Sequence, residues 1–295
     1  MPSSSLPTPP CAYLKHPFSS SFYIATYKND ETTNTKSGHM FKFDSEFTIQ
    51  DEAYFDDEGV LALSLFKGEE DFILAAGSSG NLIFLSLSLK ILSKIEVSDK
   101  ALTDVRASVE SKIITADLNG VVTVIEDDEI TSTFKACTYP GPGNIPAECW
   151  SLDFYTDKML TGGENMKLTI WNYEGSKLSE YKEFDAGVTL IKVIDSVVHV
   201  GSYDDIYRQF IIKDDKFELL RTCKMPGGIW RIEINSDEEI ALACMYGGAV
   251  VLKEEEGKFV EKRREETESI CYFVNWREHG RLGWGSFYDC KLSWD

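Results

Sequence analysis

No stretch of this chain approaches the ~18 consecutive apolar residues that a membrane-crossing helix needs, so a helical membrane span is not expected. The first ten residues, MPSSSLPTPP, have neither a basic start nor an apolar core and do not read as a secretory signal. Positive charge is scarce: 30 Lys and Arg stand against 49 Asp and Glu, a net charge of −19. That balance opposes direct binding to a nucleic-acid backbone and favours cationic partners or substrates. The seven cysteines are odd in number, scattered, and never spaced CxxC, which argues against a disulfide framework or a zinc site. They read as reduced, mostly buried thiols, which points to a cytoplasmic protein.

Familiar catalytic motifs are missing too. There is no G-x-S-x-G nucleophile elbow and no H-E-x-x-H. The stretch Gly141-Pro142-Gly143-Asn144 lacks the third glycine of a dinucleotide loop and falls between strands, which argues against a nucleotide or S-adenosylmethionine site there. Only four histidines occur, His16, His39, His199 and His279, and they are dispersed. His199 reads as a core or inter-strand histidine. No metal or cofactor is expected.

What is present is a repeat. Twelve-residue segments recur: LAAGSSGNLIFL, ITADLNGVVTVI, LTGGENMKLTIW, HVGSYDDIYRQF, ALACMYGGAVVL and GWGSFYDCKLSW. A seventh, at the front, is split into FYIATYK and GHMFKF. Their ends fall at 43, 85, 125, 171, 210, 252 and 294, in steps of 39 to 46. A period of roughly 40–45 residues with strand-like alternation is the signature of WD-type propeller blades. Each segment is strand b, a tight turn and strand c. A short alternating run before it supplies strand a, as in CWSLDFY from Cys149 and CYFVNW from Cys271. The reading is an all-β, seven-bladed propeller occupying residues 1–295 as one domain, and a monomer. The chain stops just after the last strand c. Its outer partner can come only from residues 1–10, where Pro7, Pro9 and Pro10 are poor ladder members. The last blade is therefore expected to be three-stranded, or closed by a short N-terminal segment. The polar insertion Asn29 to Ser37 is expected to be a mobile loop.

In a propeller, the b–c turns and the loops entering strand a share one face. The turn column six residues before each strand-c end holds Ser79, Asn119, Asn165, Asp204, Tyr246 and Tyr288. Asn119, Asn165 and Asp204 suit a turn-holding role. Tyr246 and Tyr288 break the pattern, and broken local rules tend to mark function. Asp205 and Asp289 follow one position later. The entry loops add Glu148, Trp150, Gly227, Gly228 and Trp230, and the diglycine is expected to let backbone approach a ligand. Trp150, Tyr203, Trp230, Tyr246, Phe287 and Tyr288 would line one face with aromatics. Beside carboxylates, such a lining suits a quaternary ammonium, at ~0.5–2 kcal/mol per ring. Ser202 and Ser286 share one strand-b column and read as structural hydroxyls.

At these positions the chain resembles the diphthine methylesterase family, the WD-repeat proteins of diphthamide synthesis, often labelled diphthine methyltransferase. The runs that carry the resemblance are Gly201-Ser202-Tyr203-Asp204, Gly227-Gly228-Ile229-Trp230-Arg231, Ala241-Leu242-Ala243-Cys244-Met245 and Ser286-Phe287-Tyr288-Asp289. Glu148-Cys149-Trp150 and Gly162-Gly163 add to it. The similarity is specific over residues 145–295 and looser before. The loop Glu278 to Arg281 lacks a long insertion carried by some relatives. The resemblance implies a cofactor-free enzyme that hydrolyses the methyl ester of methylated diphthine, a modified histidine on translation elongation factor 2. It implies a substrate bearing a trimethylammonium group beside the ester. For such a reaction the candidate general base is Asp289 first, then Asp205 or Glu148. Tyr288 and Tyr246 hydroxyls, or the Gly227-Gly228 amides, are the candidate oxyanion donors. Substrate contacts fall to Trp150, Tyr203, Asp204, Gly227, Gly228, Trp230, Tyr246 and Phe287. Arg231 reads as a structural partner of strand acids. The alternative is a non-catalytic propeller that docks a protein segment on the same face.

Overall fold

The computed structural model describes residues 3–277 and 280–295. Glu278 and His279, named above, lie outside the described residues. No helix among those described is long and apolar enough to cross a membrane. The regular elements are strands, arranged as seven antiparallel sheets.

Each sheet is one repeat. The first blade runs Pro10–Lys15, Phe22–Thr26, Thr35–Phe43 and Ile49–Asp56 from the inside outward. The first strands of the other six blades are Val60–Phe66, Leu102–Ala107, Cys149–Tyr155, Val188–Ile194, Arg231–Ile234 and Cys271–Trp276. These inner strands touch in sequence around a ring, and Cys271–Trp276 returns to Pro10–Lys15. Strands alternate because a pleated strand sends successive side chains to opposite faces. In a propeller both faces meet a neighbouring blade, so the middle strands are mostly buried and apolar: five of six positions in Phe72–Gly77 and four of six in Asn81–Ser86 are buried. The core is accordingly divided into seven clusters, one at each blade junction. Ala12, Tyr23, Met40, Ile73 and Leu85 pack between blades 1 and 2. Leu6, Phe22, Phe43, Phe273 and Leu292 pack between blades 7 and 1. Side chains buried this way contribute ~1.5–3 kcal/mol each.

Of the two outcomes open for the last blade, the structure has the second. Ser3–Ser5 pairs antiparallel with Lys291–Trp294, in register Ser3↔Ser293, Ser4↔Leu292 and Ser5↔Lys291. The pairing ends before Pro7, and Pro10 sits at the first position of its strand, where a missing N–H is tolerated. The Asn29 to Ser37 insertion is a correction. It is a short hairpin, with Lys28–Asp30 paired to Ser37, Lys36 and Thr35. The Asp30 carboxylate accepts the Thr32 N–H (2.9 Å), and Asn34 takes a left-handed φ of 54° at the tip. An Asx turn therefore organises what polarity alone had suggested was loose.

A recurring irregularity aims residues at the channel. Where strand a begins, the register slips by one residue in six of the seven blades, at Pro10/Ala12, Val60/Ala62, Leu102/Asp104, Cys149/Ser151, Val188/Leu190 and Cys271/Phe273. The extra residues are Cys11, Leu61, Thr103, Trp150, Thr189 and Tyr272. Trp230, just before Arg231, occupies the matching place in blade 6. Bulges of this kind redirect a side chain out of the ladder. Three of them tie blades together: Cys11 Sγ donates to the Val60 carbonyl (2.8 Å), Thr189 to that of Ile229 (2.5 Å), and Thr103 to that of Cys149. The aromatic ones do something else.

Candidate functional site

Trp150, Trp230 and Tyr272 project from this bulge column in blades 4, 6 and 7. Their rings join: Trp150 to Trp230 at 5.9 Å between centroids, and Trp230 to Tyr272 at 4.9 Å. Blade 5 has only Thr189 in the column, and Tyr203 from the b–c turn fills the gap, 5.8 Å from Trp230. Tyr272 stacks on Phe287 at 4.9 Å, and Phe287 meets Tyr288 edge-on at 5.2 Å. Six aromatic residues thus form one continuous track across blades 4 to 7.

The turns are pinned to the entry loops by one repeated hydrogen bond. Glu164 N–H donates to the Glu148 carbonyl, Tyr203 N–H to Gly187 and Phe287 N–H to Ile270, each at 2.9 Å. Glu164, Tyr203 and Phe287 therefore occupy equivalent positions, which is why an acid and two aromatics reach the same track. The Trp150 indole donates to Glu164 Oε1 at 2.7 Å. The Tyr139 hydroxyl donates to Glu148 Oε2 at 3.2 Å. Burial, and then the Glu164 charge, raise the Tyr203 pKa, while Arg231 acts in the opposite sense. Burial also raises that of Tyr272. Both phenols therefore stay protonated donors. Trp230 is 7% exposed, and its indole N–H has no acceptor among the described residues. A buried donor without a partner is costly, at about 1–3 kcal/mol.

The remaining sequence candidates are distributed as follows. Asp204 is committed to Arg208, which donates to it at 2.7 and 3.0 Å, and its side chain is 2% exposed. Burial alone would raise its pKa, but Arg208 and the Ile206 N–H outweigh that and hold it below the ordinary aspartate value. It holds its turn, as the column predicts. Asn119 does not: in blade 3 Asp117 accepts the Asn119 and Val121 N–H groups, both at 2.9 Å. Asp205, at a left-handed φ of 59°, pairs with Lys224 (3.3 Å). Asp289 accepts the Ser286 hydroxyl and lies 3.6 Å from Lys291. Ser202 donates to the Ala186 carbonyl at 3.1 Å. Tyr246 and Tyr288 are exposed, at 74% and 69%, and only Tyr288 joins the aromatic track.

The diglycine is packed closely against its own blade and Tyr203. A Cβ at Gly227 would stand 2.4 Å from the Cys244 carbonyl oxygen, and one at Gly228 3.0 Å from Met245 Sδ and 3.1 Å from the Tyr203 ring. These glycines let the blade-6 entry loop close onto its neighbouring turn and onto Tyr203. Arg231 is a correction: none of the ion pairs among the described residues includes it, and it donates instead to the Trp230 carbonyl at 2.8 Å. Tyr272 and Glu164 escaped the sequence reading. The signal for Tyr272 was available, since Cys271-Tyr272 repeats Cys149-Trp150 in strand a. Glu164 lay one place before the turn column that was aligned. Among the described residues no group of three or more His, Cys, Asp or Glu side chains converges as a metal site.

The fold and this face define a WD40-type β-propeller with an aromatic, acid-edged surface. The WD40 β-propeller domain of Doa1 superposes with a TM-score of 0.73 over 99% of this chain and 95% of that one, and at 12% identity the likeness is one of fold. No family profile matches the chain. It is similar to the protein named diphthine methyltransferase homolog from Dictyostelium discoideum, 30% identical over 180 residues, covering 50% of this chain and 49% of that protein. The match thus spans about half the length of that curated relative. The resemblance read from the late-blade motifs is borne out by it.

Proposed function

We propose that this chain hydrolyses the methyl ester of methylated diphthine on elongation factor 2, using the aromatic track as its substrate site. The observation that carries the reading is the continuous run Trp150–Trp230–Tyr272–Phe287–Tyr288 with Glu148 and Glu164 at one end. A trimethylammonium group has no hydrogen to donate, so it is recognised by ring faces and nearby negative charge. The similarity to a protein named for diphthine supports the same substrate class.

Hydrolysis adds water across the ester: the acyl carbon gains a hydroxyl oxygen, its methoxy bond breaks, and methanol and a carboxylate leave with one proton released. The water needs a base, and the carbonyl oxygen needs donors as it gains charge. Glu148 takes the base role. Among the described residues no lysine or arginine stands against it, whereas Asp205 carries Lys224 and Asp289 carries Ser286 and Lys291. The Trp230 indole N–H, next to Trp150, is the unspent donor beside the rings.

Steady-state kinetics with elongation factor 2 carrying the methyl ester separate these roles. Glu148→Gln should lower kcat by about 10²–10⁴, the range of a lost general base, with KM little changed. Asp289→Asn should leave kcat near wild type. The opposite ranking would return the base to Asp289. Binding of the modified factor with no methanol release from wild type would instead make this face a docking surface.

A further inference from the structure

A cluster of positive charge lies beneath the aromatic track, in the central channel. A cavity of about 370 Å³ is lined by Lys15, Arg106, Lys192 and Arg231, and by the carboxylates Asp153 and Glu233. Arg106, Asp153, Lys192 and Glu233 occupy one level: each stands three residues after Thr103, Trp150, Thr189 or Trp230 on the inner strand of its blade. Arg231 sits above them and Lys15 at the lower mouth, where the channel continues into a second groove that it shares with Glu233.

The charges in this cavity are poorly matched to one another. Among the described residues only Arg106 of these cations has a carboxylate within 4.0 Å, namely Asp104 at 2.6 Å, and its buried Nε has no acceptor there. Lys15, Lys192 and Arg231 appear in none of the ion pairs among the described residues. Asp153 uses its oxygens on the N–H groups of Phe154 (2.9 Å) and Val193 (2.7 Å). Burial pushes Arg231 and Glu233 alike towards their neutral forms. Arg106, Lys192 and Arg231 are partly buried, and cations drawn together away from bulk water favour compensation by pairing or by a bound anion. In a chain with 49 acidic residues, gathering Lys15, Lys192 and Arg231 without ion pairs among the described residues around one cavity is a specific arrangement.

We propose that the channel binds a small dianion of the phosphate or dicarboxylate class, held by Arg106, Lys192 and Arg231, with Lys15 at the entrance. The site does not depend on the reading of the aromatic face. The cavity holds such an ion with room for water, and the cations approach it from blades 1, 3, 5 and 6, so one ion would tie four blades together.

Isothermal titration of the full chain with inorganic phosphate, and separately with malonate, tests this at constant ionic strength. Saturable binding at one site by either ion is the expected result, and which ion binds assigns the source. Lys192→Gln should weaken that binding by about tenfold or more, as loss of one charged hydrogen-bond partner does. Glu233→Gln should tighten it, because it removes a like charge from the lining. Thermal unfolding of both variants checks that each is folded, and if Lys192→Gln fails to fold, Lys15→Gln at the mouth replaces it. No saturable binding, or weakening by both variants alike, would overturn the proposal and leave a water-filled ring of alternating charge.

Discussion

His199 shows how a single buried side chain ties stability to pH. It lies 3% exposed in the second strand of blade 5, with Nδ1 2.5 Å from the Tyr207 hydroxyl. Burial lowers its pKa to about 4, against the opposing pull of Asp195. In the unfolded chain the ring takes a proton near pH 6.5. Acid therefore favours unfolding: the contribution is whole above pH 6.5, falls as pH drops, and is gone below about 4. The span is worth about 3 kcal/mol. Urea unfolding of wild type and His199→Gln from pH 7.5 to 4 should show the variant with a flatter pH dependence. Parallel curves would place the acid sensitivity elsewhere. At the site itself, Trp150→Leu should raise KM for the esterified factor by about 2- to 30-fold, the worth of one cation–π contact. An unchanged KM would remove Trp150 from the substrate surface.

At the scale of strands and turns, closure rests on a small element. Ser3–Ser5 contributes three short residues to the outer edge of blade 7, and Leu6, 7% exposed, anchors them in the junction with blade 1. The Leu6 N–H also donates to the Cys290 carbonyl at 2.8 Å. Leu6→Ala should cost about 2–5 kcal/mol, and removal of residues 1–6 more, since it also exposes the edge of Lys291–Trp294. Chemical denaturation measures both, and a truncation as stable as wild type would show that three strands suffice. The blades themselves were legible because alternation and spacing are local properties that survive without knowledge of partners. The hairpin at Asn29 to Ser37 was not, because polar strands that extend past the core carry no apolar alternation. Trp150, Tyr203, Trp230, Phe287 and Tyr288 were legible as one face because turn columns align by count. Tyr272 was not, because a bulge changes which way a residue points without changing its place in the repeat, and Glu164 was not, because an acid at the turn position held by Tyr203 and Phe287 in other blades carries no aromatic signal. The packing role of the diglycine was not legible either, because its close approach to Cys244 and Tyr203 is set by three-dimensional neighbours.

For the whole molecule, the ring divides its labour. The junction clusters and the Cys11, Thr103 and Thr189 ties hold the blades, and one side of one face carries the aromatic track. On the proposed function, the net charge of −19 would favour approach of a cationic side chain and oppose retention of a carboxylate product. The proposed turnover should therefore slow as salt rises, because screening shortens the reach of that charge to within about 10 Å at 0.1 M ionic strength. The most direct test is the intact mass of elongation factor 2 carrying methylated diphthine, before and after incubation with this chain alone. The account predicts the loss of one methylene mass with methanol released and no added cofactor. An unchanged mass in the presence of stable binding would contradict hydrolysis and leave the aromatic track as a recognition surface.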